Sequence, residues 1–263
     1  MNPASRFLGS LSLVLLAAVG AACASTGNGG GGGDSGAPLV LVAGATGATG
    51  QEAVRQALTK GYAVRALVRN EEAARQLFGE RVQYAVGNVR DPAAVARAVR
   101  GATYLISALG SRSQRDPGNK PEYIDYGGVK NLVDAAQAAG VKHFALVSSM
   151  GVTREDHPLN KMFDNILIWK LKGEDALRAS GVPYTIVRPS GLNDDPPGRA
   201  GLQVMQGDPP IQGHVSRADI AAICVNALGN EAARSKTLEV IGTAGTPPAD
   251  WSALFAGLRA DGA

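Results

Sequence analysis

The residues with the plainest chemical meaning are Gly44, Gly47 and Gly50, set in Leu39-Val-Leu-Val-Ala-Gly44-Ala-Thr-Gly47-Ala-Thr-Gly50. Glycines at this spacing suit a bound pyrophosphate. Gly44 permits a tight turn, Gly47 lets the backbone approach the phosphates with no Cβ in the way, and Gly50 lets a helix pack close to a strand. A helix starting here offers free N–H groups and the positive end of its dipole to the same phosphates, which adds Thr46, Ala48 and Thr49 as candidate contacts. About 20 residues beyond this loop, Arg69 falls where a dinucleotide fold meets the adenosine ribose. An acid there would bind the 2′-hydroxyl of NAD, whereas an arginine accommodates the 2′-phosphate of NADP through its bidentate fork. No Asp or Glu occurs between the loop's helix and Glu71 at that position, so NADP(H) is expected ahead of NAD. Ser149, closing Val147-Ser-Ser149, has the hydroxyl to polarise a carbonyl. His143, His157 and His214 are too scattered to suggest a metal site, and Asp194-Asp195 sits in a Gly/Pro-rich loop as a solvated pair.

These groups need elements to place them. The apolar run before Gly44 reads as a buried strand, and Ala53, Val54, Ala57 and Leu58 share one face of a following helix stopped by Gly61. Further strands are expected at 62–68, 82–86, 103–108, 141–147, 184–187 and 238–241. Asp91 with Pro92 reads as a helix start. Val129, Leu132, Val133 and Ala136 mark an amphipathic helix ending at Gly140. One long helix is expected over Leu159–Ser180, and Trp251, Leu254, Phe255 and Leu258 suit a closing helix. Alternating strands and helices argue for an α/β fold: a doubly wound parallel sheet, one domain over residues 37–263. Ligands in such sheets bind at the carboxyl ends of the strands, where Gly44, Arg69, Asn88, Gly110 and Ser149 all fall. The segment from Gly191 to Gly213 is the room left for a substrate lobe, which favours a small substrate.

Composition agrees. The chain has 263 residues, 45% hydrophobic and 19% charged, with a net charge of +3 and no Lys/Arg block. That suits one core of ordinary size and gives nucleic-acid binding no support.

The first 36 residues read differently. Arg6 precedes an apolar run from Phe7 to Ala22, with the length and flank of a signal peptide. Small residues before Cys23 resemble a bacterial lipoprotein signal, cleaved after residue 22 and acylated on Cys23, although Gly20 stands where such signals more often carry leucine. The Gly-rich stretch to residue 36 is then a flexible tether. This order implies a lipid-anchored protein of the cell envelope facing outside the cytoplasm. The alternatives are an ordinary secretory signal with Cys23 incidental, or a start codon placed too early. Cys224 lies in an apolar helical pattern and reads as core packing.

Over about residues 38–245 the chain resembles an atypical short-chain dehydrogenase/reductase of the NmrA-like, NAD(P)-binding kind. The carriers are the glycine loop, Leu67-Val-Arg69, Gly87-Asn-Val89, Ala136 to Gly140 with Val141-Lys-His-Phe, Val147-Ser-Ser149, Trp169-Lys170-x-Lys-x-Glu174, Ser180 to Pro189 and Ser216-Arg-Ala-Asp-Ile220. The resemblance implies that Asn88 and Val89 line the adenine pocket. Ala108, Leu109 and Gly110 would run beside the cofactor, and Lys170 would reach the nicotinamide ribose. Arg217 and Asp219 match a recurring pattern read as structural. Active members of the superfamily pair a tyrosine with a lysine four residues on; here Ile166 holds the tyrosine position for Lys170. Tyr126-Gly-Gly-Val-Lys130 has that spacing but precedes the fifth strand, and is read as chance. Lys170 and Ser149 are therefore the catalytic candidates. The function expected is NADP(H)-dependent oxidoreduction of a small substrate, the alternative a non-catalytic NADP(H)-sensing or interaction module.

Overall fold

Val40 and Val42 face one side of their strand and Leu41 and Ala43 the other, and all four are completely buried. A strand with both faces covered must lie inside a sheet flanked by helices on both sides. The computed structural model, which describes residues 36–112 and 116–262, shows that arrangement. In chain order the elements are β1 (Leu39–Ala43), α1 (Ala48–Thr59), β2 (Ala63–Val68), α2 (Glu71–Phe78), β3 (Gln83–Val86), α3 (Pro92–Val99) and β4 (Tyr104–Ser107). A π-helical segment, Glu122–Gly128, runs into α4 (Val129–Ala139), followed by β5 (His143–Val147), α5 (Pro158–Met162), α6 (Ile166–Arg178) and β6 (Tyr184–Pro189). Then come β7 (Gly191–Asn193), β8 (Gly201–Met205), β9 (His214–Ser216), α7 (Arg217–Ala227), β10 (Lys236–Thr243) and α8 (Trp251–Ala256).

The main sheet has eight strands in the order β3-β2-β1-β4-β5-β6-β10-β8, parallel except for β8, which pairs antiparallel with β10. One face is covered by α1, α2, α7 and α8, the other by α3, α4 and α6. Ala43 pairs with Leu67 on one side and Ser107 on the other, so the three strand ends are level. The chain runs outward from β1 to β3 and then returns to β4 on the other side of β1. That reversal between β1 and β4 opens a crevice at the carboxyl ends, where such sheets take ligands. The doubly wound architecture expected from the sequence is the one found.

Three expectations need correction. The single helix over Leu159–Ser180 is two helices. Asp164 and Asn165 take φ of 50° and 60°, a left-handed turn these two residue types tolerate, and the buried Asn160 accepts the Leu167 N–H at 2.9 Å to join the pieces. The stretch from Gly191 to Gly213 is only in part free for a substrate lobe. It forms β7, which pairs with β9, and β8, which closes the sheet edge. Finally, the helix holding α4 begins earlier than its apolar pattern, as the π segment.

Inside the far half of the sheet Arg188 joins three elements. Its guanidinium donates to both carboxylate oxygens of Glu174 on α6, at 3.0 and 2.6 Å, and to Glu239 on β10 at 2.9 Å. All three side chains are buried, so this bidentate set fixes α6 against β6 and β10.

The expected leader over 1–22, Cys23 and the tether as far as residue 35 lie outside the described residues. Among the described residues no helix is long and apolar enough to cross a membrane.

Candidate functional site

The carboxyl ends of β1 to β6 open into one cleft of about 660 Å³. Gly44, Arg69, Asn88, Gly110 and Ser149, which the sequence scatters over more than a hundred positions, all line it. The glycine loop is built by close approach. Gly44 has φ +77°, and a Cβ on it would lie 2.6 Å from the Ala108 carbonyl oxygen. Gly50 does not line the cleft; a Cβ there would fall 2.1 Å from the Gly44 oxygen, so this glycine seats α1 against the turn. Gly47 is the N-cap of α1, and among the described residues no side chain caps that helix. Its first-turn amides, at Ala48 and Thr49 on the cleft wall, are left for a ligand. Thr46 lines the same wall. A cradle emptied of Cβ atoms beside uncapped amides fits a pyrophosphate.

On the β2–β3 side, Arg69 is exposed and makes no ion pair among the described residues. The Asn88 side chain accepts the Arg90 N–H at 3.0 Å. Val89 is buried under Gly128, whose missing Cβ would lie 2.9 Å from it, and the Asn131 amide donates to the Val89 carbonyl at 2.8 Å. Arg90 also lines the cleft, 5.1 Å over the Tyr123 ring. Together with Ala108, Leu109 and Gly110, these residues make a continuous wall. Among the described residues Arg69, Arg90, Arg112, Lys170 and Arg217 face the cleft against a single lining carboxylate, Asp116, so the field inside favours an anion.

At the other end stands Lys170 on α6. Its Nζ lies 2.8 Å from Oδ1 of Asp125, whose side chain is fully buried in the π segment. Asp125 was missed in the sequence. The available signal was an acid on the apolar face that also carries Val129, Leu132 and Ala136. The Ser149 hydroxyl donates to the Met150 carbonyl at 3.0 Å. By contrast, the hydroxyls of Ser148 and Ser190 are buried without a hydrogen-bond partner among the described residues, and both residues line the cleft. At the end of β5 the uncommitted hydroxyl is thus that of Ser148, next to the serine singled out. The loop after β5 is braced by Asp208. Burial pushes its carboxyl up, but the N–H groups of Gly151 (2.6 Å) and Thr153 (3.0 Å) and the Thr153 hydroxyl (2.7 Å) outweigh this and hold it below the ordinary value.

Ile166 is half-buried where the resemblance would put a tyrosine. Tyr126 stacks on Trp169, with ring centroids 6.0 Å apart, while Lys130 turns away to Asp134 at 2.7 Å. The two do not form a pair. Asp219 is structural, as expected: its N–H and one carboxylate oxygen both engage the Ser216 hydroxyl at the start of α7. Arg217 is not merely structural, since it reaches the cleft. It pairs at 2.8 Å with Asp194, an exposed residue read from the sequence as solvated.

A family model described as NAD(P)H-binding matches residues 44–231. Sanguinarine reductase of Eschscholzia californica is 36% identical over 258 residues, covering 82% of this chain and 94% of that protein. An uncharacterised chloroplastic protein of Arabidopsis thaliana is 39% identical over 242 residues, covering 82% and 74%. A putative NAD-dependent epimerase/dehydratase from Bacillus halodurans superposes with a TM-score of 0.73 at 26% identity, over 84% of this chain and 100% of that one. The reductase ChuY from Escherichia coli O157:H7 gives 0.65 at 28% identity, over 77% and 96%. A Rossmann-type sheet, a glycine cradle at its switch point and a family match across both place this chain in the NAD(P)H-binding family.

Proposed function

We propose that this protein is an NADP(H)-dependent oxidoreductase acting on a small substrate. The observation that carries the reading is one cationic cleft with the glycine cradle at its centre, Arg69, unpaired among the described residues, on the β2 side and Lys170 on the β5 side. In this reading Arg69 takes the 2′-phosphate and Lys170 the nicotinamide ribose. NADPH, when bound, supplies the hydride. The hydroxyls at the strand ends, Ser149 and the uncommitted Ser148 and Ser190, orient and polarise a carbonyl or quinone oxygen. The proton comes from solvent or from Ser149, because isoleucine at 166 cannot transfer one. Two relatives named as reductases, sanguinarine reductase and ChuY, support redox chemistry over epimerisation. The space left beside β7 favours a compact substrate. NADPH should raise the melting temperature of the full chain more than NADH at equal concentration; a ligand at 100 times its Kd adds about 2.7 kcal/mol to the native state. Equal shifts would remove the NADP(H) preference, and no shift with either would remove the reading.

Ile166 favours a second reading, a non-catalytic NADP(H)-sensing module. NADPH binding without turnover of any carbonyl, quinone or enone would select it. We also propose, from the small residues before Cys23 and the tether that follows, that the chain is lipid-anchored in the cell envelope. Cys23→Ser should then release it from membranes or block processing, and mass spectrometry finding an intact Met1 would overturn this.

A further inference from the structure

Asp125 is a fully buried carboxylate that does not itself line the cleft but pairs with Lys170, which does, in a cleft built for anions. An acid in that place works against a phosphate-bearing ligand unless its charge is committed elsewhere. Among the described residues one of its oxygens accepts a hydrogen bond, and the other, which accepts none, is met by an ion pair. Oδ1 lies 2.8 Å from Lys170 Nζ, and Oδ2 accepts the Ser111 N–H at 3.1 Å. Among the described residues Lys170 is the one cation paired with it. The approach is built into the backbone. At Gly173, one turn beyond Lys170, a Cβ would lie 2.7 Å from the Asp125 carbonyl oxygen, so α6 sits this close to the π segment because residue 173 has no side chain. A π turn inserts an extra residue into the helix and re-aims those around it. Here it leaves Asp125 facing α6.

A lysine on a four-carbon stem loses substantial rotamer freedom when it is fixed, and a site that fixes it before the ligand arrives lowers the cost of binding. We infer that Asp125 is a positioning residue, which holds the Lys170 ammonium towards the nicotinamide-ribose end of the cleft, with the Ser111 N–H keeping the carboxylate in register. This rests on the NADP(H) reading above. It gives Lys170 a fixed partner in a site whose described lining holds no tyrosine.

The test uses the full chain and calorimetric binding of NADPH and of adenosine 2′,5′-bisphosphate, which carries the 2′-phosphate but no nicotinamide ribose. Asp125→Asn keeps an acceptor for Ser111 and removes the charge from Lys170. Asp125→Asn and Lys170→Met should each weaken NADPH about tenfold or more, the range for a hydrogen bond to a charged group. Neither should change binding of the bisphosphate, and Asp125→Glu should recover part of the loss. The double variant should bind NADPH no worse than Lys170→Met. Should Asp125→Asn fail to fold, the double variant, which buries no unpaired charge, is compared with Lys170→Met alone, and a further loss in it overturns the proposal. Wild-type NADPH affinity in Asp125→Asn, or equal weakening of both ligands, also overturns it while leaving the functional reading standing. Wild-type protein that binds neither ligand overturns both.

Discussion

Arg69 follows β2 directly, exposed on the cleft edge, and among the described residues no carboxylate claims its guanidinium. Nothing in the fold needs it, so Arg69→Ala should leave stability unchanged. It should weaken NADPH by about 1–3 kcal/mol, as loss of a charge-assisted contact does, and NADH hardly at all. Calorimetry on both cofactors decides this, and equal losses would show that Arg69 does not read the 2′-phosphate. Lys170 and Tyr126 separate in the same way. Tyr126 packs on Trp169 and does not line the cleft, so Tyr126→Phe should keep NADPH-dependent turnover nearly intact. Lys170→Ala should lower turnover or cofactor affinity. A loss of roughly 10²–10⁴-fold from Tyr126→Phe, the range for a lost general acid, would mean that the tyrosine does the chemistry after all.

At the scale of elements, the cleft depends on where α1 and α6 sit. Gly50 holds α1 against the β1 turn with no room for a methyl group. Gly50→Ala must therefore displace the helix. Overpacking of this kind costs about 1–3 kcal/mol, read as a lower urea midpoint, and the displaced helix N-terminus should bind dinucleotide more weakly. An unchanged midpoint with unchanged binding would show that α1 has slack. α6 is held by Arg188. Arg188→Met leaves Glu239 buried with no cation among the described residues, although Glu174 keeps Arg178 at 2.8 Å. Breaking a buried pair costs about 3–5 kcal/mol, so urea denaturation should show a loss of that order, and a loss below about 1 kcal/mol would mean that the cluster contributes little.

For the whole molecule the sharpest handle is acid. His143 on β5 is completely buried. The Thr185 hydroxyl donates to the Ala233 carbonyl, so His143 Nε2 donates to Thr185. Burial first, and the nearby Arg234 second, push its pKa down to about 4 from 6.5. The unfolded chain takes up this proton at higher pH than the native one. The associated stability is complete above pH 6.5 and falls as pH drops towards 4, by about 3 kcal/mol in total. His143→Gln should flatten that part of the profile in denaturation series between pH 7.5 and 4. Parallel profiles for the two proteins would rule His143 out as the cause.

The sequence alone determined the alternation of elements, the glycine loop and the strand ends carrying Arg69, Asn88, Gly110 and Ser149. These are local properties: strand and helix periods, and glycines whose spacing fits one turn. It also placed the first residue of α3, because Asp91 and Pro92 act within their own turn, with the Asp91 side chain accepting the Ala93 N–H at 2.9 Å. Other features depended on the tertiary structure. The break at Asp164 and Asn165 is two left-handed residues inside an otherwise helical pattern, stabilised from outside by Asn160. β8 is a strand because β10 offers it an open edge. Lys170 meets Asp125, 45 positions earlier in the chain, because a glycine on α6 admits a π turn of another helix. Such contacts are set by which surfaces come together, and no local pattern of residue types encodes that.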